Sequence, residues 1–293
     1  MRASHPPQND SDNATLILHD NDIIRPESSE SPWSVLPIEQ ISFQLHVECA
    51  LNAEMHLTIL YQDADYIAID KPPGLLVHRT QLDTQATEFA LQMLRDQIGQ
   101  AVFPCHRLDR PTSGILLFAL NPLAHRFAQV QFAAQKVHKE YLAVVRGWTD
   151  DGGLIDYDLR SEHNPRTSHP AQTEYTCLSR SQIDFPAGRY PTARLSLVKL
   201  HPLTGRTHQL RRHLAHIRHP ILGDTRHGDG AQNKFLRQYC GEQRLLLRAT
   251  RLQIDHPSCA HRLSISAAED HTFSEILNRL KLSSGPMLPL ETG

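Results

Sequence analysis

Long apolar runs are missing from this 293-residue chain. No stretch approaches the roughly 18 apolar residues that a bilayer-spanning helix needs, which excludes a membrane span of that kind. The N-terminus lacks the basic-then-apolar layout of a secretory signal. Cysteine is scarce: Cys49, Cys105, Cys177, Cys240 and Cys259 are odd in number, scattered, and form no CxxC pair. That excludes a disulfide framework and a thiolate metal cage, and makes a reducing cytoplasm the expected setting. Neither GxGxxG nor a P-loop is present, so nothing points to a dinucleotide or to phosphoryl transfer. Internal repeats and a βαβ cadence are lacking too, which argues against a doubly wound parallel sheet.

Charge of one sign is unevenly spread. The net charge of −2 hides an acidic beginning: residues 1–54 carry two Arg and nine Asp or Glu, a balance of −7, and the rest of the chain carries +5. A basic body suits a polyanionic partner. Residues 1–56 are rich in Ser, Asp, Asn and Pro and read as a disordered tail. An alternative is that translation begins at Met55. The body is expected over 57–282, with 283–293 as a second tail.

Within the body, Leu57–Tyr61 and Tyr66–Asp70 read as a β-hairpin. Lys71-Pro72-Pro73-Gly74 is a hard turn. Thr84 to Gly99 reads as a helix with Thr84 as its cap and Phe89, Leu91, Leu94 and Ile98 on its apolar face. A second helix is expected from Asn121-Pro122, with Phe127, Val130 and Phe132 packed inward. Strands are expected at 141–145, 173–178, 194–200, 244–254 and 263–265, and a closing helix at 273–280. Residues 152–170 read as a weakly structured polar region. The fold class is α+β: a mixed, mostly antiparallel sheet core with flanking helices.

What organises the chain is Cys105-His106-Arg107-Leu108-Asp109-Arg110-Pro111-Thr112-Ser113-Gly114, a polar loop feeding the apolar run Ile115 to Leu120. Asp109 lies among His106, Arg107 and Arg110, and neighbouring cations favour the carboxylate form. Pro111 stiffens the loop, and Gly114 permits a close backbone approach. The run after it reads as a strand buried on both faces. Such a loop presents one charged carboxylate from a rigid base. A surface ion pair capping a strand is an equal alternative on these residues alone.

A second polar stretch runs from Thr204 to His219. It holds Gly205, Arg206, His208, Arg211, Arg212, His213, His216, Arg218 and His219, and no acid. Leu210, Leu214 and Ile217 recur at helical spacing, so one face packs on the core. Gly205 allows a tight turn into the helix. A solvated basic face and an RNA-facing helix both fit. A metal site on His213, His216 and His219 fits poorly, because a third His at this spacing drifts off the face.

His-Arg-Leu-Asp-Arg-Pro-Thr-Ser-Gly (106–114), Lys-Glu-Tyr (139–141) and Thr-Gly-Arg-Thr-His-Gln-Leu-Arg (204–211) stand in an order that resembles the RluA-type RNA pseudouridine synthases. The resemblance covers roughly 57–280. It implies that Asp109 is the catalytic carboxylate, that Arg211 pairs with it and that Tyr141 lies in the base pocket. Arg107 would fill the space left by an extruded base. His106, Arg110, Thr112, Lys71, Arg206, His208 and Arg212 are the other expected RNA contacts, although Lys71 would equally serve to brace the catalytic loop. The resemblance further implies a cytoplasmic monomer that acts on RNA without metal or cofactor. Segments such as Val-Arg-Gly-Trp (145–148) and Gly-Arg-Tyr-Pro-Thr (188–192) are most similar to the branch that modifies uridine 65 of tRNA. Ribosomal RNA as substrate, or a non-catalytic RNA-binding module on this scaffold, are the alternatives.

Overall fold

The computed structural model describes residues 56–78, 88–162, 164, 166–259 and 261–284. Both expected tails fall almost wholly outside these residues, as does the expected cap Thr84. Among the described residues no helix is long and apolar enough to cross a membrane.

One sheet organises the body. Its strands are β1 (Thr58–Gln62), β2 (Tyr66–Lys71), β3 (Phe103–Pro104), β4 (Ser113–Ala119), β5 (His138–Arg146), β6 (Gly152–Asp156), β9 (Gln172–Ile183), β10 (Ala193–Pro202), β11 (Leu247–Asp255) and β12 (Arg262–Ser266). The main path is β1-β2-β4-β11-β5-β10-β9-β6, with β3 beside β4 and β12 beside β11. Every pair is antiparallel except β4 with β11. The helices are α1 (Ala90–Ile98), α2 (Pro122–Ala133), α3 (Gln209–His216), α4 (Gly230–Cys240) and α5 (His271–Arg279). The α+β class with a mostly antiparallel sheet is therefore what forms.

Strand β4 is buried along its whole length. It lies between β2 and β11, with apolar side chains filling both faces, as its uninterrupted apolar run requires. The parallel step from β4 to β11 is narrow. Gly114 has φ +103°, and a Cβ there would lie 2.1 Å from the Ala249 carbonyl oxygen and 2.7 Å from its nitrogen. A Gly114→Ala protein should lose about 2–5 kcal/mol of stability from backbone strain and forced separation of the two strands. A fall in thermal midpoint of several degrees checks this, and an unchanged midpoint would refute it.

Two expectations need correction, and one helix is additional. Val130 is 62% exposed and Phe127 38% exposed. In α2 the inward face is instead Ala124, Ala128 and Gln131. Small residues let the helix backbone settle close against the sheet, and the larger side chains are turned outward. Phe132 is partly buried. Among the described residues of 152–170, expected to be weakly structured, β6 pairs with β9, and short β7 (Leu159–Arg160) pairs with β8 (Ser168–His169). Their polar composition hides strands formed by pairing rather than by apolar alternation. Helix α4 was not foreseen, although Asp229 caps it by accepting from the N–H groups of Ala231 and Gln232, and Gly241 ends it at φ +75°.

Candidate active site

The Asp109 loop is held from below. Thr112 N–H donates to the Asp109 carbonyl at 3.0 Å, closing a turn with Arg110 and Pro111 at its corner. Gly74 N–H donates to the Arg110 carbonyl at 2.9 Å, and Arg110 Nε donates back to the Gly74 carbonyl at 3.0 Å. The Lys71–Gly74 turn and the Asp109 turn thus lock reciprocally. Between them lies Lys71, fully buried, whose Nζ donates to the carbonyls of Pro72 (2.8 Å), Leu75 (2.9 Å) and Arg110 (3.1 Å). Three carbonyls match the three donors of an ammonium. Lys71 therefore braces the loop and is turned away from any RNA, and its place among the RNA contacts is corrected.

Burial pulls Lys71 down to about 7, opposed by the Asp109 carboxylate. The native chain then releases this proton before the unfolded chain does, whose value is near 10.5. The contribution to stability is fully present above 10.5 and is lost as pH falls through 7. A Lys71→Met protein should be less stable by about 1–3 kcal/mol through its orphaned carbonyls. Its deficit against the parent should widen between pH 7 and pH 9 in denaturant titrations. A constant deficit would exclude this linkage.

Asp109 faces a cleft of about 330 Å³. Its Oδ2 accepts from Arg211 Nη1 at 3.2 Å, and His208 Nε2 lies 3.8 Å away. Arg211 is buried on α3 and is oriented by a residue outside the expected set. Its Nε and Nη2 donate to Asp224 Oδ2 and Oδ1 at 2.7 and 2.8 Å. The two-pronged partner of Arg211 is therefore Asp224, with Asp109 meeting only the remaining nitrogen. Burial alone would raise Asp224, but Arg211 and the backbone N–H groups of His227 and Arg226 outweigh it and hold the carboxyl below its usual range. Gly223 precedes it at φ +79°, where a Cβ would lie 1.9 Å from the Arg244 carbonyl oxygen. Asn233 fixes the same corner, accepting from Gly223 N–H and donating to the Asp224 carbonyl, both at 2.8 Å. The signal in the sequence was Gly223-Asp224, an acid just beyond a basic helix.

The walls of the cleft come from the other motifs. Tyr141 opens the inner part of β5, paired with Leu200 on β10 and Ala249 on β11. Burial, then the Asp109 charge, raises its phenol, so it stays protonated. Burial, with the Lys139 ammonium adding to it, pushes His106 down to about 3. Its neutral Nε2 accepts from Leu117 N–H at 3.1 Å, and its ring stacks on Phe132 at 5.2 Å. His106 thus offers a ring face to the cleft rather than a charge. Thr112 is buried and Arg107 exposed, and both line the cleft.

At the rim, Arg206 Nε donates to the Pro170 carbonyl at 3.2 Å and Arg212 Nη1 to the Arg160 carbonyl at 2.9 Å. Gln209 fixes the entry to α3: its Oε1 accepts from Thr204 Oγ1 at 2.7 Å and from Arg206 N–H at 3.0 Å. The left-handed residue in this turn is His208, at φ +52°, and Gly205 has no positive φ. The three spaced histidines are dispersed. His213 is buried between Thr173 Oγ1 and the Tyr157 carbonyl, both at 3.0 Å. His216 stacks on Tyr157, and His219 Nδ1 meets the Arg146 carbonyl at 2.7 Å.

Comparison with known proteins places this arrangement. Residues 65–216 match a family model described as RNA pseudouridylate synthase. The chain is 44% identical over 238 residues to tRNA pseudouridine synthase C of Vibrio parahaemolyticus, covering 78% of this chain and 97% of the relative. It is 48% identical over 233 residues to the protein of that name from Haemophilus ducreyi, covering 77% and 96%. Among solved structures, human RNA Pseudouridylate Synthase Domain Containing 4 superposes with a TM-score of 0.61 at 26% identity, over 83% of this chain and 98% of that one. Human RNA Pseudouridylate Synthase Domain Containing 1 gives 0.60 at 27% identity, over 74% and 85%.

Proposed function

We propose that this chain, which belongs to the family of RNA pseudouridylate synthases and isomerises uridine to pseudouridine in RNA, takes tRNA as its substrate and modifies uridine 65. Residues 57–282 form its catalytic domain, and it works as a cytoplasmic monomer. One observation carries the chemistry: the Asp109 carboxylate meets a buried guanidinium, 3.2 Å away, in a cleft of about 330 Å³. That volume suits a single small ligand such as one base with its sugar. The likeness to relatives named for tRNA, along nearly the whole of their length, supports the substrate class.

The isomerisation breaks the N1–C1′ bond and joins C5 to C1′. The C5 proton leaves and N1 gains one, so the balance needs no electron acceptor. A stacked uridine is out of reach, so it is turned out of the helix at a cost of a few kcal/mol. Exposed Arg107 occupies the vacated position. Asp109 then acts either by attack on the nucleotide or by removing a ribose proton, and both routes require its ionised form. Arg211 holds that anion through a charge-assisted contact. Tyr141, kept protonated, stacks on the uracil, a contact worth about 1–3 kcal/mol per base. Arg206 and Arg212 at the rim meet phosphates.

Pseudouridine mapping of tRNA and ribosomal RNA from a strain lacking the gene tests the assignment. The expected result is one missing pseudouridine, at tRNA position 65, regained on complementation. Loss of a ribosomal site instead would move the substrate, and no loss anywhere would overturn the proposal.

A further inference from the structure

One cluster beside the cleft has no step in the isomerisation beyond the RNA contact expected of His208. His208 Nδ1 lies 3.0 Å from His227 Nε2 and 3.2 Å from Glu162 Oε1. One ligand atom from each of the three residues lies within 4.8 Å of the other two. A zinc-type ion holds imidazole nitrogen and carboxylate oxygen at about 2.0–2.2 Å, which in a tetrahedron separates neighbouring ligand atoms by roughly 3.3–3.6 Å. Two of the three separations here are already within a few tenths of an ångström of that. Hydrogen bonding explains the cluster less well, because His208 Nδ1 carries at most one proton and meets two other polar atoms.

The two imidazoles are set by the backbone around Asp224 and the start of α3. His227 N–H donates to Asp224 Oδ1 at 2.9 Å, and Asp224 is the residue that orients Arg211. His208 caps α3 in the left-handed conformation. Its other nitrogen, Nε2, faces Asp109 Oδ2 at 3.8 Å. The local charges are Asp109, Glu162 and Asp224 against Arg211 and Arg226, a balance that tolerates a cation. Arg226 is the competitor: its Nη2 lies 3.1 Å from Glu162 Oε1, but its side chain is 58% exposed and is free to swing into solvent.

We propose that Glu162 Oε1, His208 Nδ1 and His227 Nε2 form a three-ligand site for a divalent transition-metal ion such as zinc, and that its occupation inhibits the enzyme. Two imidazoles and one carboxylate select such ions over magnesium or calcium. With Nδ1 on the metal, His208 keeps its proton on Nε2, pointed at the Asp109 carboxylate. The ion also ties the segment carrying Glu162 to the N-terminus of α3 beside the cleft. The ion takes no part in bond making. The binding half stands on the cluster alone, and the inhibitory half rests on the proposed role of Asp109.

The test uses the full chain, stripped with chelator and titrated with Zn²⁺ by calorimetry and with Co²⁺ by visible absorption. One ion per chain is expected, with the absorption of a tetrahedral cobalt centre. Glu162→Gln and His227→Gln should each weaken binding by about 10–100-fold or more, while Arg226→Gln should tighten it. Unaltered affinity in His227→Gln would overturn the site. Zn²⁺ should slow pseudouridine formation in tRNA by the parent, EDTA should restore it, and His227→Gln should be refractory. Saturation with zinc at an unchanged rate would overturn the inhibitory half. A metal-free parent that binds zinc stoichiometrically but forms no pseudouridine would instead sink the assigned activity and leave the metal site standing.

Discussion

An Asp109→Asn protein is expected to fold, to bind tRNA and to leave its target uridine unmodified. The substitution keeps size and shape and removes only the charge. The turn does not depend on the carboxylate, because Thr112 donates to the backbone carbonyl of Asp109. The side chain is 19% exposed, so the amide finds solvent. Arg211 keeps its two-pronged bond to Asp224, and no buried cation is orphaned. Arg206 and Arg212, the proposed phosphate contacts, are untouched, and contacts of that kind dominate affinity for RNA. What is lost is the anion that either route of glycosidic cleavage requires. Removing a group that acts directly in bond breaking costs about 10⁴-fold or more in rate. Single-turnover assays with excess enzyme check this, alongside binding measured at fixed salt. Appreciable turnover would remove Asp109 from the chemistry. Loss of binding together with turnover would shift it to a structural role.

The polar loop that carries Asp109, the buried strand behind it and the sheet class were legible because they rest on local chemistry. An apolar run such as Ile115–Leu120 has one comfortable environment, and a Pro–Gly-rich polar loop before it has few conformations. Roles that depend on distant partners were not legible. Lys71 reads as a surface cation at a turn, yet its carbonyl partners at Pro72, Leu75 and Arg110 exist only after the two turns dock. The buried Arg248 bonds Asp70 at 2.6 Å and Asp270 at 3.2 Å, and Arg244 bonds Asp270 at 2.7 Å. That network joins residues nearly two hundred positions apart. The outward faces of Phe127 and Val130 follow from the same limit. Spacing says that a helix has an apolar stripe, but the neighbouring alanines decide how closely it sits and which side chains are excluded.

Asp224→Ala is expected to damage stability and catalysis together, through one cause. Asp224 is 2% exposed and takes both free prongs of Arg211. Removing one partner of a buried ion pair leaves an uncompensated charge, at a cost of about 3–5 kcal/mol. The guanidinium then reorients toward its remaining anion or toward water, and the single 3.2 Å contact to Asp109 Oδ2 is lost or remade in another geometry. Outer-shell partners of this kind change activity by about 10–100-fold, so kcat should fall that far while KM for tRNA changes little. The pH dependence separates charge from packing. Asp224 is held below its ordinary value of 3.8, so its contribution is present above that pH and is lost as pH falls through the lower, native value. The stability gap between the parent and Asp224→Asn should therefore be widest near neutrality and close in acid. A gap independent of pH would mean that the carboxylate acts through shape alone. Full kcat in Asp224→Ala would mean that Arg211 holds its aim unaided. Adding Arg211→Met to Asp224→Ala should recover part of the lost stability, since the orphaned cation goes too, and none of the lost rate.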